Sequence, residues 1–83
     1  MDTKWNLLKV YLTNKAKGNA MYRIFCNSIL NKMKLYDTDE LTEDLHDLRW
    51  AIITNFVLTK QTDKNRTIMS NVILEEMKLI YRI

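Results

Sequence analysis

The chain has one glycine and no proline in 83 residues. Without these breakers, the tight turns that β-rich folds rely on have almost nothing to form from. What remains is apolar residues at helical spacing. The longest such run is Leu41 to Leu58, where Leu41, Leu45, Leu48, Ile52 and Phe56 recur at intervals of four, three, four and four. That is one stripe on a 3.6-residue helix. Trp50, Ile53 and Val57 form a second stripe well round the same helix. Two apolar stripes call for neighbours on two sides, the leucine stripe facing the core and the Trp50 stripe a second neighbour, so this helix is expected in the middle of the packing. Thr54 to Thr59 contains β-formers but falls inside the longer helical period, and no strand is expected.

Three further helices follow from the same reasoning. Asp2 or Thr3 can cap a first helix, whose core side is Trp5, Leu8, Leu12 and Ala16, with Leu7 and Tyr11 widening it. Lys15 and Lys17 fall in its last turn, where cations suit the dipole. Gly18 fits the left-handed position that ends a helix, and Asn19 can cap the next one at once. The second helix turns Tyr22, Phe25, Cys26, Ile29, Met33 and Tyr36 inward and Arg23, Asn27, Asn31 and Lys34 outward. Ile24 and Leu35 lie outside its core stripe. Thr38 or Asp39 is the expected cap of the third helix, and Thr62 or Asp63 that of the fourth. The fourth helix is apolar over roughly two-thirds of its circumference, well beyond the ~100° a surface helix needs. It therefore sits deep or buries a second face against another chain, and Glu76 falls inside the apolar arc.

The expected fold is all-α: four helices at about 3–16, 20–35, 40–59 and 64–82, in one helical domain, 1–83, with the third helix central. A core of this size rarely supplies more than ~3–5 kcal/mol. No staple is expected: Cys26 is the only cysteine and His46 the only histidine, which cannot make a four-ligand zinc site. A lone cysteine and the absence of a leader or of ~18–20 consecutive apolar residues point to a cytoplasmic protein without a membrane span. Nine Lys, eight Asn and eight Ile reflect AT-rich codons and suggest a phage, a virus or a low-GC bacterium.

The net charge of +3 conceals a segregation: +6 over residues 1–36, −6 over 37–47 and +3 over 48–83. No glycine-rich phosphate loop, Walker motif or HExxH motif is present. Cys26 sits on a core stripe, where thiols are inert, and His46 has no nucleophile at a useful spacing. The chain is read as non-enzymatic, with no cofactor and no metal.

Binding remains. A small protein-binding regulator or inhibitor, such as a phage or viral accessory protein, would occupy a partner protein's surface. Trp50, Ile53, Val57 and the fourth helix would anchor it. The acidic residues Glu40, Glu43, Asp44 and Asp47, with Glu76, would steer and orient a basic partner. A second copy of the chain is an alternative occupant. The alternative function is DNA or RNA binding through the basic helix face Arg23, Asn27, Asn31 and Lys34.

Overall fold

The computed structural model describes residues 3–37 and 42–83, the side chain of Glu43 excepted. Among the described residues there are four helices and no strand: α1 (Thr3–Gly18), α2 (Ala20–Lys34), α3 (Glu43–Leu58) and α4 (Lys64–Tyr81). The expected caps at Asp2, Thr38 and Asp39 lie outside the described residues. Thr42 is extended (φ −70°, ψ 163°) and makes no side-chain cap hydrogen bond, so α3 begins at Glu43 rather than near residue 40.

Two other caps behave as their sequence predicts. Asn19 is extended (φ −158°, ψ 130°), and its side chain accepts from the Met21 N–H at 2.7 Å. Asp63 accepts from the Arg66 N–H at 2.8 Å. Each oxygen satisfies one of the orphan donors of a first helical turn. Gly18 does not behave as expected. It closes α1 in helical conformation, and no glycine has a positive φ. Asn19 alone reverses the chain, so the left-handed residue is not needed. A Cβ at Gly18 would meet nothing within 4 Å. Gly18→Ala should therefore stabilise the protein by about 0.5–1 kcal/mol through the unfolded state. Asn19→Ala should cost about 1 kcal/mol. Urea midpoints of the two variants should move in opposite directions. A Gly18→Ala midpoint below wild type would contradict the helical assignment at that position.

The molecule measures 37 × 23 × 22 Å. A helix with its side chains is about 10–12 Å across, so each short dimension holds two helices. The packing follows a ring: α1 on α2, α2 on α3, α3 on α4 and α4 on α1. The closest seam is α1 with α2, because one residue joins them and forces them side by side. The third helix is thus not more central than the others by packing.

The core is Trp5, Leu8 and Leu12 of α1, Phe25, Cys26, Ile29 and Met33 of α2, Trp50, Ile53 and Val57 of α3, and Met69, Ile73 and Met77 of α4. In α3 the burial reverses the expected order of the stripes. Leu45 is 44% and Leu48 54% exposed, Ile52 and Phe56 are half-buried, and Leu41 lies outside the described residues. The Trp50 stripe goes inside instead. Both stripes have helical period, and period cannot say which faces inward. Trp50 offers the larger area, and it finds edge-on aromatic partners in Trp5 (6.1 Å) and Tyr81 (5.1 Å). The fourth helix is not deep in the bundle either. Ile68 and Leu79 stay on the surface while Met69, Ile73 and Met77 fill the core.

Two polar residues are buried with the core. Ser70 Oγ donates to the Val57 carbonyl at 3.0 Å and accepts from Gln61 Nε2 at 3.1 Å, which ties the end of α3 to α4. The Val57 carbonyl, in the last turn of α3, also accepts from the Lys60 N–H at 3.1 Å, so Ser70 is its second donor. Arg49, 3% exposed, lays its guanidinium over the Trp5 ring at 3.9 Å and donates from Nη1 to the Tyr36 carbonyl at 3.1 Å.

Candidate functional site

Two of the predicted protein-binding residues, Trp50 and Asp47, meet in a groove of about 420 Å³ between α3 and α4. Its floor is Trp50, Leu74 and Met77, with Ala51 and Thr54 on the α3 side. The floor is apolar because the buried edge of α3 and the inner edge of α4 meet there at period-matched positions. Trp50 and Met77 belong to the core, while Ala51 is exposed. Ala51 has no side chain beyond its Cβ to fill the groove. Asp47 stands on the α3 wall, and Tyr81, Lys78 and Arg82 on the α4 wall. The Tyr81 hydroxyl donates to Asp47 Oδ1 and bridges the two walls at one end. Lys4 of α1 supports this end by donating to the Tyr81 carbonyl at 2.7 Å, with its ammonium 5.0 Å from the Tyr81 ring centre.

The predicted protein-binding residues are therefore divided. Trp50 and Asp47 share the groove. Ile53 and Val57 are fully buried in this chain's own core. Asp44 is exposed near the start of α3. Glu40 and the Glu43 side chain lie outside the described residues. Glu76 is half-buried away from the groove, facing Tyr11 of α1. Burial first, and the Glu76 charge second, push the Tyr11 hydroxyl up to about 12. Glu76 is accommodated at the α1–α4 seam, half in solvent, as a carboxylate among apolar neighbours requires.

The alternative set stays together. Arg23, Asn27, Asn31 and Lys34 are all exposed along the outer face of α2. The described acids Asp44 and Asp47 are on α3, and Asp47 is directed to the α4 side.

His46 is half-buried on α3. Cys26 is buried, and burial raises its thiol to about 11, which disfavours the reactive thiolate. Among the described residues, no three His, Cys, Asp or Glu side chains gather to hold a metal ion. No helix among them is long and apolar enough to cross a membrane. Lys60 donates to Ser28 Oγ at 2.6 Å and lies over Phe56 at 4.8 Å, and its burial there lowers its pKa.

Sequence reasoning missed Arg49 and its surroundings. Asp37, just past α2, accepts from Lys9 at 2.5 Å and from Trp5 Nε1 at 3.3 Å. The Lys9 hydrogen bond is the largest influence holding the Asp37 carboxyl below its usual range; Arg49 also contributes. The sign follows directly. A carboxyl with a lowered folded pKa binds fewer protons folded than unfolded, so its stabilising effect is present above the unfolded value of ~3.9. That effect is lost as pH falls through the folded pKa. Asp37→Asn should thus melt below wild type at pH 6, and the gap should narrow at pH 3. An equal gap at both pH values would remove Asp37 from this account. The signal in the sequence was slight: one arginine interrupting an apolar helix beside a tryptophan.

No protein-family model, no curated protein and no solved structure matches the chain.

Proposed function

We propose that the protein is a small non-enzymatic protein-binding module, a regulator or inhibitor that acts by occupying a partner's surface. The α3–α4 groove receives an apolar side chain of the partner. The observation that carries this reading is the groove itself: about 420 Å³ over Trp50, Leu74 and Met77, open to solvent between an acidic and a basic wall. Pockets of this size with an apolar floor and a few polar groups are the usual form of a specific binding site. Asp47 on one wall, and Lys78 and Arg82 on the other, give the groove a direction. Asp44 extends the acidic wall towards the start of α3, and Glu40 and Glu43 extend it in sequence, which favours a partner with basic residues beside its apolar anchor. In this reading α3 has the central role in function: Trp50 faces the bundle, and Ala51 and Thr54 face the partner. The AT-rich codon usage fits an accessory protein of a phage or virus, with its partner in the host cytoplasm.

Ala51→Arg tests the proposal, because it fills the groove from an exposed position and leaves the core intact. A host protein retained by the wild-type chain should be lost by Ala51→Arg at unchanged helicity and melting temperature. Equal recovery by both would remove the groove from the reading.

A further inference from the structure

The face that α1 and α2 present together is distinct from the α3–α4 groove. Neither helix contains an aspartate or a glutamate, and of their seven Lys/Arg four, Lys9, Lys17, Arg23 and Lys34, line this face. Two shallow grooves run along their seam and share Thr13 and Asn27, so they form one continuous track. Lys17 and Arg23 flank one end of the track. Lys9 and Lys34 flank the other, with Asn31 between the ends. The one carboxylate on the track, Asp37, is already held by Lys9 at 2.5 Å. Of the described acids of α3, Asp47 is turned to α4 by its bond to Tyr81, and neither Asp44 nor Asp47 lines the track. An approaching polyanion therefore meets cations and amides on this side.

We infer that this face binds duplex DNA, with α2 as the element that enters the major groove. Arg23 and Lys34 are eleven positions apart, about 16 Å along a helix at 1.5 Å per residue. Asn27 and Asn31 lie between them on the same outward face, four apart. A helix about 10–12 Å across fits a major groove about 12 Å wide. In that pose the two terminal cations meet phosphates, and the amides meet base edges, where asparagine pairs with adenine. Lys17 of α1 lies beside Arg23 at one end of the track and adds a phosphate contact there. The track carries no aromatic side chain on which unpaired bases would stack, which argues against a single strand. The deep, narrow major groove of A-form RNA does not admit such a helix.

Three phosphate contacts, from Lys17, Arg23 and Lys34, give a slope of about −2.7 in log affinity against log salt. Fluorescence anisotropy with a labelled 20-base-pair duplex should show a roughly 40-fold loss of affinity between 50 and 200 mM salt. The Lys17→Gln/Arg23→Gln pair should bring the slope to about −0.9. The charge-matched pair Lys64→Gln/Arg66→Gln, at the start of α4 and outside both grooves, should leave it unchanged. All four residues are exposed, so circular dichroism should report an intact fold in both variants. No binding at 50 mM salt overturns the inference. So does an equal loss from both pairs, which would mean diffuse charge, and so does equal affinity for a single strand or for heparin.

Discussion

Trp50→Ala is expected to unfold most of the protein at room temperature. Trp50 is 6% exposed and makes edge contacts with Trp5 across the bundle and with Tyr81 on α4. Truncating a buried tryptophan costs ~3–5 kcal/mol, and each aromatic pair adds ~0.5–1.5 kcal/mol beyond its area. A single core in a chain this short supplies only about that much in total. The loss thus equals the whole stability, and the far-UV signal should fall towards that of a random chain. Trp50→Phe, which keeps a ring in the same space, should remain folded with a lower urea midpoint. A Trp50→Ala variant melting cooperatively within a few degrees of wild type would show that the aromatic line from α1 to α4 is not what holds the bundle. The consequence for function is practical. Trp50→Ala cannot separate binding from folding, and Ala51→Arg can, although the two residues are adjacent in the chain.

Arg49→Ala is the second large effect, expected at roughly 3 kcal/mol. A hydrogen bond from a charged donor contributes about 1.5–3 kcal/mol, and a desolvated cation over an indole face about 1–2 kcal/mol. Arg49 makes both, to the Tyr36 carbonyl and to Trp5, at 3% exposure. Arg49→Met separates charge from packing, because it keeps the stem that covers the indole while removing the donor. Urea denaturation should place Arg49→Met between wild type and Arg49→Ala. If Arg49→Ala lost less than about 0.5 kcal/mol, the guanidinium would be a passive surface group, and the joint between α1, α2 and α3 would have another cause.

These two residues show where sequence reading succeeds and where it stops. The existence and type of all four helices were legible, because apolar residues at 3.6-residue spacing have one geometric meaning and no proline interrupts them. The caps at Asn19 and Asp63 were legible because a short side-chain oxygen has a local partner within three residues. Gly18 was misread because a glycine permits a left-handed turn without requiring one. The face of α3 was misread for a different reason. The stripe of Leu45 and Leu48 and the stripe of Trp50 and Ile53 are equally helical, and the choice between them is made by what the other helices bring to the centre. Trp5 and Tyr81 bring aromatic edges, and the Tyr36 carbonyl brings an acceptor for Arg49. None of these is adjacent to α3 in sequence. The candidate site was half legible: Trp50 and Asp47 were named from the sequence, but Leu74, Met77, Tyr81, Lys78 and Arg82 join them only through the α3–α4 contact.

By itself the sequence determined an all-helical chain of four segments, the caps at Asn19 and Asp63, and a basic stretch over residues 1–36, with Asp2 its one acid, beside an acidic stretch. These properties are set within a few residues along the chain, at the range of a helical turn or a capping bond. The tertiary structure decided which stripe of α3 is core, that Arg49 would be buried against Trp5, and that Lys9, Lys17, Arg23 and Lys34 would lie along one seam of α1 and α2. The first two of these outcomes depend on side chains distant in the chain, such as Trp5, Tyr36, Trp50 and Tyr81, meeting in the same interior volume. Which side chains meet there is settled by shape and by available partners, which periodicity does not encode.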